Sequence, residues 1–430
     1  MSHRSRQLKV SSLARVEGEG ALHVVVNDGV VERADLQIYE PPRFFEAFLR
    51  GRKYSEPPDI TARICGICPV AYQTSACLAI EDACGVEIEP GVADLRRLLY
   101  CGEWIQSHAL HIYLLHAPDF LGYPDAIELA KDHRDVVERG LRLKKAGNAL
   151  MELVGGRAIH PINVRVGGFY RAPSRAELQS LRPQLSQALR DAVATVRLVS
   201  GFTFPDLELD HDLLAVRAPD RYAIERGDLH STGGASFAVD DFSAHVVERQ
   251  VEHSTALHTA LDDHLYLTGP LARYTLNRRW LSPLARAAAV EAGLGAECRN
   301  PFRSIVVRAV EVIHALEEAL RLIDAYVVPD RPYADVVPRA GVGHGVSEAP
   351  RGLLYHRYEL DEDGLIRSAV IVPPTSQNQA AIEDDLRRVV AANLALDDAR
   401  LTALCEQTIR NYDPCISCSA HFLDLTVEGR

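Results

Sequence analysis

Apolar residues along this chain recur at two spacings, one near 3.6 residues and one near two, and they divide it into many helices and a few short strands. Leu22 to Val26 is an apolar, β-branched-rich run that stops at Asn27-Asp28-Gly29. That ending predicts a hairpin, with a return strand from Val30 to Tyr39 that alternates apolar and polar positions after Ala34. Residues 43–51 and 68–84 read as helices; in the second, Cys68, Tyr72, Ala76, Ala79 and Ala83 share one face, and Gly85 ends it. Longer helical patterns span 92–118, 125–155, 175–200, 241–262 and 301–326, punctuated by Pro118, Gly122, Pro161, Gly167-Gly168 and Pro173. Short β segments are expected at 341–356 and 365–373, with the glycine-rich Gly341-Val342-Gly343-His344-Gly345 making a turn. A last helix, 380–412, leads to the C-terminal region. The expected class is α+β: mainly α, a bundle of long helices with small antiparallel β segments at its edges.

Composition changes this picture little. With 430 residues, 47% hydrophobic and 25% charged, the chain has ample material for a large core. Length alone allows two or three domains, but no linker, low-complexity tract or internal repeat separates them. The N-terminus lacks a secretory h-region, and no run approaches the ~18 apolar residues needed to span a bilayer. The expectation is a cytoplasmic protein. A formal charge of −12, spread along the chain, disfavours nucleic acid and anionic membranes as partners.

The cysteines carry the chemistry. Nine in a chain without a signal peptide should be thiols. Four form two CxxC pairs near opposite ends: Cys65 and Cys68 in Arg63-Ile64-Cys65-Gly66-Ile67-Cys68-Pro69, Cys415 and Cys418 in Asp413-Pro414-Cys415-Ile416-Ser417-Cys418. Cys77, Cys84, Cys101, Cys298 and Cys405 fit no ligand spacing and read as buried small hydrophobes. Two CxxC turns can bring four soft sulfurs around one centre, which selects zinc, nickel, copper or an iron–sulfur cluster over hard cations. A structural zinc site usually has ~15–20 residues between its pairs; here 346 intervene. A thioredoxin-like redox pair would need a βαβ setting that is not visible. From spacing alone, zinc and a redox metal fit equally well.

The flanking residues add a resemblance. Both pairs, with Leu13-Ala14-Arg15-Val16-Glu17-Gly18-Glu19-Gly20, Phe45 to Arg52, Val154 to Pro161 and Glu348 to Gly352, resemble the landmarks of nickel–iron hydrogenase large subunits, in matching order from residue 13 to 421. The resemblance implies that family's fold over residues 1–421 as a single catalytic domain. It implies a nickel held by all four cysteines, with Cys65 and Cys415 terminal and Cys68 and Cys418 bridging to an iron that carries carbon monoxide and cyanide. Two such metals act as Lewis acids on H2. Glu17 would relay protons, a role suited to a carboxyl whose pKa burial raises; otherwise it is a surface or capping glutamate. Arg351, Asp119 and Asp413 would form a charged canopy with Pro350 alongside, Arg351 acting electrostatically because its pKa makes it a poor base. Helix capping is the plain reading of the two aspartates. Thr375 and Ser376 would give polar contacts to the diatomic ligands, and Glu46 and His421 would hold magnesium or a second iron. Tyr72 departs from the family, which mostly has histidine there. The wording Pro69-Val70-Ala71-Tyr72-Gln73 resembles the cytosolic NADP-linked, sulfhydrogenase-type subgroup.

What the chain lacks implies partners. It has no further cysteine set for a cluster and no G-x-G-x-x-G after a strand, so electrons must leave to an iron–sulfur small subunit and onward to flavin and NAD(P) subunits. That interface is expected near the first CxxC and His160-Pro161. Residues 422–430 resemble the extension that a maturation protease removes after nickel insertion, which implies a nickel chaperone as well. Two rivals remain: a non-catalytic scaffold like the related complex I subunit, which lacks the four cysteines, and a structural zinc protein.

Overall fold

The computed structural model describes residues 5–40 and 44–420. At the N-terminus, β1 (Ser5–Val10), β2 (Gly20–Asn27) and β3 (Val30–Ile38) form an antiparallel meander, with Leu8 opposite Val24 and Val24 opposite Ala34. The hairpin lies where Asn27-Asp28-Gly29 predicts it, with Asp28 and Gly29 both at positive φ. β1 carries too few apolar positions to be signalled by its own sequence. It is held from outside, Arg6 reaching Asp398 and the carbonyls of Leu394 and Leu396.

Helix α1 (Pro69–Cys84) begins directly at the first CxxC: Cys68 is its N-cap, Pro69 its first residue, and Gly85 closes it at φ +65°. The bundle consists of α2 (Pro90–Leu110), α3 (Arg134–Gly155), α4 (Arg175–Ser200) and α5 (Ser304–Ala325). α5 is buried without a break from Ser304 to Leu316 and is the central rod, which explains its all-round apolar sequence. α2 and α3 meet at Gly102 and Gly147; a Cβ on Gly147 would lie 2.6 Å from the Gln106 nitrogen and the Gly102 oxygen. The 92–118 pattern runs on past α2, but as a π-helical widening at His111–His116 and then a short turn, Ala117–Leu121.

Some expectations fail. Residues 241–262 do not form a helix: after a short turn, β4 (Val246–Arg249) and β5 (His258–Leu261) pair as an antiparallel ribbon, Glu248 opposite Thr259. Val246 and Leu261 pack into a satellite core with Phe242 and Tyr355, so tertiary burial of one ribbon face overrides the helical spacing. Gly341–Gly345 is also not a turn. It belongs to β6 (Gly341–Ala349), which with β7 (Gly352–Leu360) and β8 (Ile366–Val372) forms an antiparallel sheet against α1. A Cβ on Gly345 would lie 2.3 Å from the Ser75 carbonyl oxygen, so only glycine lets this strand lie on the helix backbone. The 380–412 pattern is two helices, α6 (Pro374–Ala392) and α7 (Asp398–Arg410), the second capped by the Asp397 carboxylate accepting from the Arg400 amide.

Candidate metal centre

The two CxxC segments meet in the interior. Cys65 Sγ lies 3.4 Å from Cys415 Sγ, Cys68 Sγ lies 3.8 Å from Cys418 Sγ, and all four sulfurs are within 4.8 Å of one another. Each segment is fixed by its own contacts. The Glu103 carboxylate on α2 accepts hydrogen bonds from the Val70 (2.6 Å) and Ala71 (3.0 Å) amides, satisfying the open end of α1 beside Cys68. The Cys415 amide donates to Thr375 Oγ1 (2.9 Å), at the first turn of α6, and the Ile416 amide donates to the Glu17 carbonyl (3.0 Å). Glu17 and Cys415 thereby form a parallel bridge between the N-terminal and C-terminal parts of the chain.

That bridge puts the Glu17 carboxylate on a cysteine. Its Oε2 is 3.0 Å from Cys415 Sγ and accepts from the Ser417 amide at 3.2 Å. The Ser417 hydroxyl donates in turn to Glu40 Oε1 (3.2 Å). Glu17 and Glu40 are both half-buried.

Arg351, only 2% exposed, covers the site with Asp413: its Nε donates to the Asp413 carbonyl (2.7 Å) and its Nη2 to Asp413 Oδ1 (3.2 Å). Burial opposes the charge of Arg351, but Asp413 and the cysteine thiolates outweigh it and hold the guanidinium protonated. Burial also raises the Asp413 pKa, against the pull of Arg351 and Arg308. Asp413 sits at φ +52°, a strained setting for a non-glycine, and its side chain engages Arg351 rather than capping a helix. Asp119 makes its ion pairs with arginines other than Arg351. It pairs with Arg410 (2.8 Å) and Arg15 (2.5 Å), and Arg410 Nη1 also donates to the Ala14 carbonyl (3.0 Å). Asp119 therefore braces the segment carrying Glu17 and makes no ion pair with Arg351. The Pro350 carbonyl accepts from Arg273 Nη2 (3.0 Å), and the Ser376 hydroxyl is committed to the Pro373 carbonyl (2.9 Å).

Do these residues fit a metal pair? Arg351 Nη1, Asp413 Oδ2 and the Tyr72 hydroxyl are buried without hydrogen-bond partners among the described residues. The charges of the cysteines reach Arg351, Asp413 and Tyr72 alike. Unpartnered polar atoms beside four converging thiols are what a bound group with its own ligands would satisfy. The donor set and the orphans both fit.

Away from the sulfurs, Glu46 lies in a one-turn helix (Phe45–Leu49) and accepts from the Ile371 amide at 2.7 Å. Burial raises its pKa to about 7, and burial with the charge of Glu46 raises Glu248 to about 8. His421 lies outside the described residues, as do 422–430. Sequence reasoning missed Glu103, Glu248 and Arg273; each is a lone charged residue whose partner is remote in the chain, so no local signal marks it.

A helical fold closed around four buried thiolates, with a carboxylate on one sulfur and a guanidinium above, defines a redox metal enzyme of the hydrogenase kind. The profile of the family described as nickel-dependent hydrogenase matches residues 43–142 and 284–421. The chain is 33% identical over 422 residues to the sulfhydrogenase 1 subunit alpha of Pyrococcus furiosus, covering 97% of this chain and 98% of that protein. It is 28% identical over 473 residues to the NAD-reducing hydrogenase HoxS subunit beta of Cupriavidus necator, covering 97% of this chain and 95% of that one. A crystal structure of an NAD+-reducing NiFe-hydrogenase in its H2-reduced state superposes with a TM-score of 0.88 at 28% identity, covering 97% and 99% of the two chains. The chain belongs to the nickel-dependent hydrogenase family. It is the catalytic large subunit of a nickel–iron hydrogenase, an oxidoreductase acting on H2.

Proposed function

We propose that this subunit interconverts H2 with protons and electrons, with Cys65 and Cys415 as terminal nickel ligands and Cys68 and Cys418 shared with an iron carrying carbon monoxide and cyanide. The convergence of all four sulfurs within 4.8 Å carries this reading. When bound, the metal pair supplies the Lewis acidity and electron storage that heterolytic cleavage of H2 requires.

The protein's own groups do the rest. Glu17 Oε2, 3.0 Å from Cys415 Sγ, takes the proton and returns it, held in place by the Ser417 amide. Arg351 keeps a positive field over the site, and its unpartnered Nη1 would be available to donate to the diatomic ligands of a bound iron. Thr375, whose oxygen accepts from Cys415, retains its own proton to donate there. Ser376 has spent its proton on Pro373, so the donor role falls to Thr375. Asp413 orients Arg351 and Asp119 holds the Glu17 segment. Glu46, with Glu248 close enough to raise the cost of two negative charges, takes magnesium or a second iron together with His421.

Electrons leave to an iron–sulfur partner subunit near the first CxxC, where His160 Nδ1 bonds the Ala62 carbonyl (2.7 Å) and Ile159, Ile162 and Tyr170 are exposed. From there they pass to NAD(P), a reading supported by the relative and the solved structure named as NAD-reducing. No described helix is long and apolar enough to cross a membrane, and a cytoplasmic enzyme fits. Elemental analysis and infrared spectroscopy of the purified complex test the reading. One nickel with iron, and bands of metal-bound carbon monoxide and cyanide, are expected; zinc without nickel in the four-sulfur site would overturn it.

A further inference from the structure

The geometry points to a further sulfur-free metal site in this chain, apart from the one proposed at Glu46 and His421, formed by His253, His258 and Glu383 and suited to Zn2+. The sequence hides it: the histidines are five residues apart and the glutamate lies 125 residues further on. Folding joins them because α6 packs against β5. His253 precedes β5, His258 opens it, and Glu383 lies in α6. His253 Nε2 is 2.8 Å from Glu383 Oε1, His258 Nε2 is 3.7 Å from Glu383 Oε2, and one ligand atom from each residue lies within 4.8 Å of the others. Zinc with bonds of roughly 2.0–2.1 Å in tetrahedral geometry holds its ligand atoms about 3.3–3.5 Å apart. The observed spacings bracket that value, so His258 moving inward and the His253–Glu383 contact opening, each by about half an ångström, would complete the set.

Two features separate this cluster from an ordinary ion pair. The carboxylate is oriented and dry: its side chain is 3% exposed, and Oε1 also accepts from the Leu36 amide at 3.0 Å. Next, His258 Nε2 is buried with no hydrogen-bond partner among the described residues, its nearest carboxylate oxygen being too distant. A His253–Glu383 pair accounts for the first histidine and leaves the second unexplained. The adjacent His211, Asp384 and Asp385 are a useful contrast, with the same residue types but every valence taken. There His211 Nε2 meets Asp385 at 3.2 Å, Asp385 also accepts from the Tyr412 hydroxyl, and Asp384 pairs with Arg388 at 2.9 Å.

The site is also distinct from Glu46 and Glu248. Glu248 lies opposite Thr259, whose side chain points to the other face of the ribbon from that of His258. An open cleft of about 540 Å³, lined by Tyr39, Gln250 and His253 among others, reaches the site at His253. Two imidazoles and one carboxylate suit zinc and leave a fourth position to water. Bound there, zinc would tie β3, β5 and α6 together, and α6 is the helix whose first turn holds Thr375 on Cys415.

The test uses the assembled holoenzyme, so that the four thiolates are already occupied. After incubation with Zn2+ and gel filtration, one zinc per chain beyond nickel and iron is expected. X-ray absorption at the zinc edge should show a nitrogen and oxygen shell without sulfur. His258→Ala should weaken zinc binding by more than roughly 100-fold and leave hydrogen uptake unchanged. Because Glu383 also anchors Leu36, Glu383→Gln serves as the conservative second variant and should lose the zinc while folding. Absence of bound zinc, sulfur in its shell, or equal retention in His258→Ala would each overturn the site.

Discussion

In the proposed mechanism Glu17 and Arg351 divide the work around the sulfurs. Glutamine at position 17 keeps the shape of the side chain and can still accept from the Ser417 amide, but it cannot carry a proton. Glu17→Gln should therefore retain nickel and iron while slowing turnover and hydrogen–deuterium exchange roughly 10²–10⁴-fold, read by mass spectrometry of the evolved gas. Arg351→Lys exchanges a planar fork for a point charge. It gives up the paired bonds to the Asp413 carbonyl and carboxylate. Activity should fall roughly 10²–10³-fold with metal content preserved; unchanged kcat in the lysine variant would show that charge alone suffices. Both residues were legible from short motifs. Glu103, which satisfies the end of α1 beside Cys68, was not, because a carboxylate in the middle of α2 looks like any solvated helix position until the fold buries it.

At the scale of elements, the sulfur site depends on how closely α1 is approached by its neighbours. Gly345 lets β6 lie on the helix backbone, so Gly345→Ala must push the strand away from the Ser75 carbonyl. A loss of about 1–3 kcal/mol is expected, visible as a lower melting temperature together with reduced nickel retention, since Cys68 begins that helix. The bundle has its own vulnerability. α2 and α5 are joined by His108 Nε2 and Glu311 (3.0 Å), with Arg273 pairing to Glu311 at 2.8 Å. Burial lowers the His108 pKa from 6.5 to about 4. For Glu311 burial opposes ionisation, but Arg273 and His108 outweigh it and bring the pKa from 4.5 to about 2. Both groups bind protons more weakly folded than unfolded, so stability is full above pH 6.5 and falls as pH drops through these windows. Melting temperature measured against pH should decline first between 6.5 and 4, and His108→Gln should flatten that first limb.

At the scale of the whole molecule, the two ends of the chain build one centre, and that centre needs other chains to be useful. All five cysteines outside the cluster are single, buried thiols, and the relatives are named as subunits of larger hydrogenases, which suits the proposed iron–sulfur partner. Purified without its partner subunits, the metal-loaded chain should show hydrogen–deuterium exchange but no H2-dependent reduction of NAD(P)+. Intact mass should place the C-terminus of active protein at His421; a mass ending at Arg430 would show that the tail is retained.

The sequence by itself determined the local pieces. Hairpin, helix starts and the two thiol pairs each depend on residues within a turn or two of one another, and flanking motifs named the chemistry. Tertiary structure decided what distance along the chain conceals. It turned residues 241–262 from helix to ribbon, sent Asp119 to Arg15 and Arg410, set Glu248 beside Glu46 and paired His253 with Glu383. The physical reason is that burial and electrostatics act between atoms close in space, and for each of these groups the decisive neighbours belong to other segments of the chain.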